Sequence, residues 1–314
     1  MEPKMNKIKT LFLGTPDFAV PCFEMLCGRE DIEICGVVTQ PDKQKGRGYQ
    51  LLPPPVKEAA ALKGLDVYQP STLKDGAFMD YLRLKQPDLI IVIAYGKILP
   101  SEVIHFPKYG CLNVHASLLP KYRGAAPIQW AVIDGEKESG VTIMQMDRGL
   151  DTGDMLAKAA TPVGRKTGQE LHDELAQMGA ELLVDTLDHL GELPRVKQDD
   201  ALSTYAPMIS KKEGHLDFSQ MPVRLERTIR AFDPWPGSFG YLGDKMMKFW
   251  RAEVPGIQTD AADGTVVAAG EAGIDIAACG GILRVTEIQM PGKKRVEVKE
   301  YLKGNSIEIG TVLG

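Results

Sequence analysis

The chain has 314 residues, 44% of them hydrophobic, and a formal net charge of −5. That length suits two domains with sizeable cores, and the negative charge argues against a generic nucleic-acid binder, which would be basic. Met1 to Thr10 is too short and too charged for a signal peptide, and no run approaches a membrane span. A soluble cytoplasmic protein with no membrane contact is therefore expected.

Ile8 to Leu13 reads as a compact apolar strand, ended by Gly14-Thr15-Pro16-Asp17 and followed by a helix over Phe18 to Cys27. The opening resembles a dinucleotide fold, but Gly14 stands alone without the G-x-G-x-x-G fingerprint, so NAD is not supported. Ile32 to Val38 is the second strand. The stretch Thr39 to Gln50, followed by three prolines at 53–55, lacks periodicity and is rich in Pro, Gly and positive charge. Such a stretch is a functional loop or a solvated one. A helix over Val56 to Lys63, a strand over Asp66 to Tyr68 and a helix over Lys74 to Leu84 come next. Leu89 to Ala94 is continuously apolar, as a central parallel strand covered on both faces would be. Tyr95 to Pro100 leaves its carboxyl end, where ligands bind in open α/β sheets.

Gly110-Cys111-Leu112-Asn113-Val114-His115-Ala116-Ser117-Leu118-Leu119-Pro120 runs from a buried strand into a Pro-ended loop. Residues i and i+2 of a strand share a face, so Asn113 and His115 project together. An amide and an imidazole there can stabilise an oxyanion and handle a proton; the plainer alternative is a turn-capping Asn and a structural His. Ala126 to Ile133 is helical. Gly140 to Met146 is another strand, and Asp147-Arg148-Gly149-Leu150-Asp151-Thr152-Gly153 is a tight loop able to present a carboxylate. If these strands are sheet neighbours, Asp147 or Asp151 falls near His115. Ser117 lacks a G-x-S-x-G elbow and is not read as a nucleophile.

Met155 to Pro162 reads as a strand closing the sheet edge. Gly168 to Leu190 is an amphipathic helix, with His172 and His189 as surface residues rather than ligands. Gly191 to Thr204 turns polar, as a linker would. Beyond it, Met246–Trp250, Thr265–Ala269, Ile274–Ala277 and Ile282–Ile288 alternate with Gly and Asp turns, the pattern of a small β-barrel. Ala231 to Gly237 is a stiff aromatic turn, a packing corner in preference to a direct binding element. Lys293-Lys294-Arg295 is a hairpin tip, able to touch phosphate or simply solvated. Residues 207–314 hold fourteen basic and fourteen acidic side chains, so the earlier part carries the whole −5. Cys22, Cys27, Cys35, Cys111 and Cys279 contain no C-x-x-C pair, which points to free thiols in a reducing compartment and no zinc site.

N-x-H-x-S-L-L-P followed by D-x-G-L-D-T-G resembles the folate-dependent formyltransferases, and the likeness runs over nearly the whole chain. The run Tyr122-Arg123-Gly124-Ala125-Ala126-Pro127-Ile128-Gln129-Trp130 is similar to the branch that acts on methionyl-initiator tRNA. The resemblance implies an α/β fold with a Rossmann-like, open, mostly parallel sheet over residues 1–190. A linker at 191–206 and a smaller OB-like β-barrel domain at 207–314 complete it. It implies transfer of a formyl group from 10-formyltetrahydrofolate to the amino group of methionyl-initiator tRNA by a monomer, with no metal. Asn113, His115 and Asp151 would be catalytic: Asn113 donating to the oxyanion, His115 donating to it or relaying a proton, and Asp151 orienting the imidazole or acting on the amine. Ser117, Leu118, Leu119 and Pro120 would bind the reduced folate, with the backbone around Ile98 and Leu99 lining the pterin pocket and Asp147 opposite. At least one of Ile98 and Leu99 is ordinary core. Arg47, with Lys45, would engage the acceptor end of the tRNA, and Lys293, Lys294 and Arg295 its phosphates. The rival readings are the same chemistry on an amino sugar or other small amine, and a non-catalytic tRNA-binding protein on this scaffold. The basic loop and β-rich second domain argue against the first, and the intact Asn113, His115 and Asp151 against the second.

Overall fold

The apolar run Leu89–Ile93 is the middle strand of a seven-stranded sheet, and all of its residues are buried. A strand covered on both faces requires that composition. The computed structural model describes residues 7–45 and 50–314. Arg47 lies outside the described residues, and Lys45 is described by its backbone alone.

In chain order, β1 (Ile8–Gly14), α1 (Val20–Cys27), β2 (Ile32–Val38), β3 (Lys43–Lys45), β4 (Gln50–Leu52) and α2 (Pro55–Leu62) come first. They are followed by β5 (Val67–Tyr68), α3 (Ala77–Lys85), β6 (Leu89–Ile93), α4 (Ser101–Ile104), β7 (Cys111–His115) and β8 (Arg123–Gly124). Next are α5 (Pro127–Asp134), β9 (Glu138–Gln145), β10 (Met155–Pro162), α6 (Gly168–Asp188), β11 (Tyr205–Ala206) and α7 (Pro222–Ala231). The chain ends with β12 (Ser238–Leu242), β13 (Lys245–Glu253), β14 (Val266–Gly270), β15 (Gly273–Ala278), β16 (Gly281–Gln289), β17 (Val296–Glu297) and α8 (Val298–Leu302). The helix expected from Phe18 begins instead as a separate 3-10 turn over Asp17–Ala19. The helix expected from Lys74 starts at Ala77, after Gly76 at φ 82.

Two compact units divide the chain: Met1–Gly124, Ser139–Thr161 and His172–Tyr205 form one, and Ala125–Glu138, Pro162–Leu171 and Ala206–Gly314 the other. The polar stretch after α6, read from sequence as a linker, belongs to the first unit as far as Tyr205.

The first unit holds the large sheet, in the order β10-β9-β7-β6-β1-β2-β5. β1 runs parallel to β2 and β6, β6 to β7 and β2 to β5, whereas β7 and β9 are antiparallel. The carboxyl ends of β1, β6 and β7 therefore open on one edge, followed by Thr15, Ala94 and Ala116. The lone Gly14 has a packing reason: a Cβ there would stand 2.7 Å from the Phe12 ring and 2.9 Å from the Ala19 methyl. The stretch after β2 is not structureless, because β3 and β4 pair as an antiparallel hairpin. Its base is fastened by polar groups that the absence of periodicity could not show. Lys57 Nζ donates to both Asp42 carboxylate oxygens at 2.9 and 2.8 Å, and Gln69 Nε2 donates to Asp42 Oδ1 and to the Gln40 carbonyl, each at 2.8 Å.

The second unit is built on an antiparallel sheet ordered β12-β13-β16-β15-β14, with β17 added on β16. Leu225 and Ile229 of α7 and Met247, Phe249, Ile274, Ile276, Leu283 and Val285 of the strands form its buried core. The last residues reach both edges of this sheet. Tyr241 of β12 exchanges backbone hydrogen bonds with Gly314 at 2.7 and 3.1 Å, and Val266 of β14 donates to the Thr311 carbonyl at 2.8 Å. The expected small barrel is closed in this way. The aromatic turn after α7 is a packing corner: Arg295 donates to both Asp233 oxygens at 3.1 and 2.6 Å and lies 3.4 Å over the Trp250 ring. Among the described residues no helix is long and apolar enough to cross a membrane.

Candidate active site

The pairing of β7 with β9 sets the candidate site, with Asn113 opposite Met144 and His115 opposite Thr142. Asn113 and His115 share a strand face, as their spacing required. His115 is only 7% exposed, and its Nε2 lies 2.9 Å from the Tyr122 carbonyl oxygen. A carbonyl can only accept, so Nε2 carries the proton. The other ring nitrogen, Nδ1, faces Asp151 Oδ2 at 3.8 Å. The same Oδ2 accepts a hydrogen bond from the Gly124 backbone N–H at 2.9 Å. Asn113 is half-buried, and its Oδ1 is enclosed without a hydrogen-bond partner.

Of the two candidate carboxylates, the structure brings Asp151 to His115 and turns Asp147 to another task. Asp147 is exposed and organises its own loop, accepting from Gly149 N at 2.9 Å and Thr152 Oγ1 at 2.6 Å. The loop returns tightly on β9, where a Cβ at Gly153 would stand 1.9 Å from the Gln145 carbonyl oxygen. Asp151 itself has φ 53, in the left-handed region that few non-glycine residues occupy.

The Ser117–Pro120 loop is held from within. Ser117 is 1% exposed, donates from Oγ to the Lys121 carbonyl at 2.6 Å, and its own carbonyl accepts from Thr142 Oγ1 at 2.7 Å. Leu119 is buried against Met144 and Met155, its N–H donates to Thr142 Oγ1 at 3.1 Å, and its carbonyl accepts from Lys158 Nζ. Burial holds the Lys158 ammonium below the usual lysine range. The side chains of Ser117 and Leu119 therefore shape the loop, and Leu118 and Pro120 are its half-buried members. Beyond β6, Leu99 is core at 4% exposure and Ile98 is 80% exposed, which divides the pair as expected. The Tyr95 carbonyl accepts from Thr15 Oγ1 and Gln40 Nε2, both at 3.1 Å, tying the ends of β1 and β6 to the segment after β2.

Lys293 and Lys294 are exposed at the tip between β16 and β17, whereas the guanidinium of Arg295 is committed to Asp233 and Trp250. His172 departs from the surface role expected of it. It packs edge-on against Phe18 and meets Asp17 and Asp173, and its hydrogen bond to Asp17 holds the imidazole above its usual range. Missing from the sequence reading are the Tyr122 carbonyl, the Gly124 N–H and Gln198. The first two lie inside the Tyr122–Trp130 run, where the contribution comes from backbone atoms that residue types do not announce. Gln198 lies in the polar stretch after α6, and no local signal marks it.

A mostly parallel sheet with Asn, His and Asp gathered at its carboxyl edge, in a chain that also carries a closed antiparallel unit, defines the class. Residues 7–187 match the family described as Formyl transferase and residues 208–306 match Formyl transferase, C-terminal domain, so the chain belongs to the formyl transferase family. It is 46% identical over 313 residues to the methionyl-tRNA formyltransferase of Geotalea uraniireducens (strain Rf4), covering 99% of each chain. With the methionyl-tRNA formyltransferase of Clostridium novyi (strain NT) it shares 48% over 310 residues, covering 98% of this chain and 100% of that one. Among solved structures, an N-formyltransferase from Helicobacter canadensis superposes with a TM-score of 0.65 at 20% identity, over 92% of this chain and 100% of that one. HypX from Aquifex aeolicus gives 0.63 at 19% identity over 96% of this chain, which spans 49% of that longer protein.

Proposed function

We propose that this chain transfers the formyl group of 10-formyltetrahydrofolate to the amino group of methionyl-initiator tRNA, acting as a cytoplasmic monomer. Similarity over essentially the full length to proteins of that name supports the acceptor. The single observation that carries the chemistry is the approach of Asp151 Oδ2 to His115 Nδ1 on the strand face that His115 shares with Asn113. The reduced folate is a substrate here, and it supplies the formyl carbon.

Attack of an amine on a formyl carbon develops negative charge on the formyl oxygen. Asn113 offers its amide NH2 to that oxygen. Loss of one such donor typically costs roughly 10²–10³ in rate. His115 takes the proton-handling part. Its Nε2–H is spent on Tyr122, so Nδ1 is the nitrogen left to accept the proton from the attacking amine, with Asp151 facing the imidazolium that results. The proton passes on to the folate nitrogen as its bond to the formyl carbon breaks, releasing tetrahydrofolate and the formylated amine. An α-amine has a reference pKa of about 7.7–8.0, so part of it is already neutral and a modest base suffices. Asp151 is held toward Nδ1 by the Gly124 N–H. Leu118, Pro120 and the backbone at Ile98 and Leu99 are the members of the folate set whose exposure or backbone leaves them free for contact. Arg47 and Lys45 serve the acceptor end, and Lys293 and Lys294 the tRNA phosphates.

The test is formyl transfer from labelled 10-formyltetrahydrofolate to charged initiator methionyl-tRNA, beside a nucleotide-linked amino sugar. Transfer to the tRNA alone is expected. Transfer to the sugar alone moves the acceptor, and transfer to neither leaves a binding protein.

A further inference from the structure

The stretch between the two family-matched regions, residues 188–207, is tied directly to the candidate site. Gln198 is at its centre. Its Nε2 donates to the carbonyl oxygens of Asp151 and Gly153, each at 2.8 Å, and its Oε1 accepts from Arg123 Nε at 2.9 Å. A guanidinium has no acceptor, so Oε1 must face Arg123 and the NH2 must face the two carbonyls. Arg123 is held in turn: its NH2 group donates to Asp200 at 2.8 Å and its backbone N–H donates to the Thr204 carbonyl at 2.9 Å. Thr204 Oγ1 accepts from the N–H of Tyr122 at 2.8 Å, and Tyr122 is the residue whose carbonyl fixes His115.

Asp151 is the residue for which this matters. Its left-handed backbone is a conformation that persists only where the surroundings enforce it. The carbonyl that Gln198 grips belongs to Asp151 itself. If that peptide rotates, the carboxylate swings away from His115 Nδ1 and from the Gly124 N–H. We infer that Gln198 is a positioning residue for formyl transfer, acting through Asp151 by clamping its backbone, with Arg123 fixing the orientation of the clamp. The inference rests on the reading of Asp151 given above.

Three variants test it in the full chain. Gln198→Glu keeps the acceptor for Arg123 and sets an oxygen against two carbonyls, and Gln198→Leu removes both halves of the clamp. Arg123→Met leaves Gln198 in place but releases its orientation. Steady-state transfer to methionyl-tRNA is measured for each, alone and combined with Asp151→Asn, beside tetrahydrofolate titration and thermal melting. A misplaced carboxylate is expected to lower kcat by about 10–100-fold in the Gln198 variants, and by less in Arg123→Met. Both KM values and the folate affinity should stay within about twofold, and no further loss should appear on the Asp151→Asn background. The 15N shift of the His115 ring at fixed pH should move in the Gln198 variants, which a purely structural tether would leave alone. The inference is overturned by a kcat within about twofold of wild type, by a loss confined to KM, or by a loss that multiplies onto Asp151→Asn. It is also overturned if both Gln198 variants fail to fold, since the clamp would then hold the unit rather than the site. A wild-type chain inactive on methionyl-tRNA would instead remove the functional reading itself.

Discussion

The backbone N–H of Gly124 donates to Asp151 Oδ2 at 2.9 Å, and the same oxygen is the one that faces His115 Nδ1 at 3.8 Å. One carboxylate oxygen of the 147–153 loop thus meets both the end of β7 and the short strand β8. Asp151→Asn can keep an acceptor for Gly124 but loses the charge opposite His115. It should therefore retain the fold while lowering transfer by about 10²-fold or more, and His115→Ala should add little to it because the two act as a unit. Steady-state kinetics of the singles and the double decide this, and multiplicative losses would separate the two residues.

Asn113→Ala is expected to divide activity from stability. The enclosed Oδ1 has no partner, and an unsatisfied buried polar atom costs about 1–3 kcal/mol, so its removal should leave thermal stability unchanged or slightly raised. Transfer should still fall by roughly 10²–10³. A clearly lowered melting temperature would mean that the amide holds the strand end rather than serving the reaction.

The Asp17–His172 pair makes a pH-dependent contribution whose sign follows from both partners. The hydrogen bond between them raises His172 above 6.5 and lowers Asp17 below 3.8. The histidine part is fully present below pH 6.5 and is lost as pH rises through the folded value. The aspartate part is present above pH 3.8 and is lost as pH falls through the folded value. Replacing His172 with Gln should therefore lower stability most between these limits and least at alkaline pH. Denaturant melts across a pH series measure it, and a loss that grew with rising pH would contradict the pairing.

Lys293, Lys294 and Arg295 should not behave as one basic patch. Each of Lys293→Ala and Lys294→Ala should reduce the log–log salt slope of tRNA binding by ~0.7–0.9 per lost phosphate contact. Arg295→Ala should instead destabilise the second unit by about 1–2 kcal/mol, because Asp233 loses its fork and Trp250 the nearer of its two cations. Binding titrations over a salt series and calorimetry separate these outcomes.

Lys57→Met should act on the β3–β4 hairpin from beneath. It removes the donor to both Asp42 oxygens, and Lys57 and Gln69 are the groups that hold the Asp42 carboxyl below the usual carboxylate range. If the hairpin serves the acceptor, kcat/KM for methionyl-tRNA should fall while folate affinity stays unchanged. An equal loss of folate affinity would place the network's influence at the sheet edge instead.

Much of this was legible in the residues. The run at 89–94 named the central strand because burial on both faces leaves no polar position, and the period of two put Asn113 beside His115. Gly and Asp in one short loop announce a tight return that could present Asp147 or Asp151, and only the resemblance to the formyltransferases chose Asp151. Gln198 was not, since its bonds reach Asp151 and Arg123 from a stretch with no period, and a polar side chain that meets three remote groups looks locally like any solvated glutamine. Arg295 shows the same limit: sequence gives its charge, whereas only the packing of Asp233 and Trp250 reveals that the charge is taken. Ser117 resembled a ligand-facing hydroxyl until the Lys121 carbonyl accounted for it.

Closure of the second sheet by residues 311–314 has a kinetic side. The pairing of Tyr241 with Gly314 and of Val266 with Thr311 joins positions far apart in the chain, so the entropy of closing those loops must be met before the contacts repay it. The seam should form last in refolding, behind a pre-formed β13–β16–β15 ladder. Until then β12 and β14 both stand as open edges, able to pair with a neighbouring molecule. Removing four residues from the end should therefore do more than trim a tail: it should turn a closed sheet into one with two templates for aggregation.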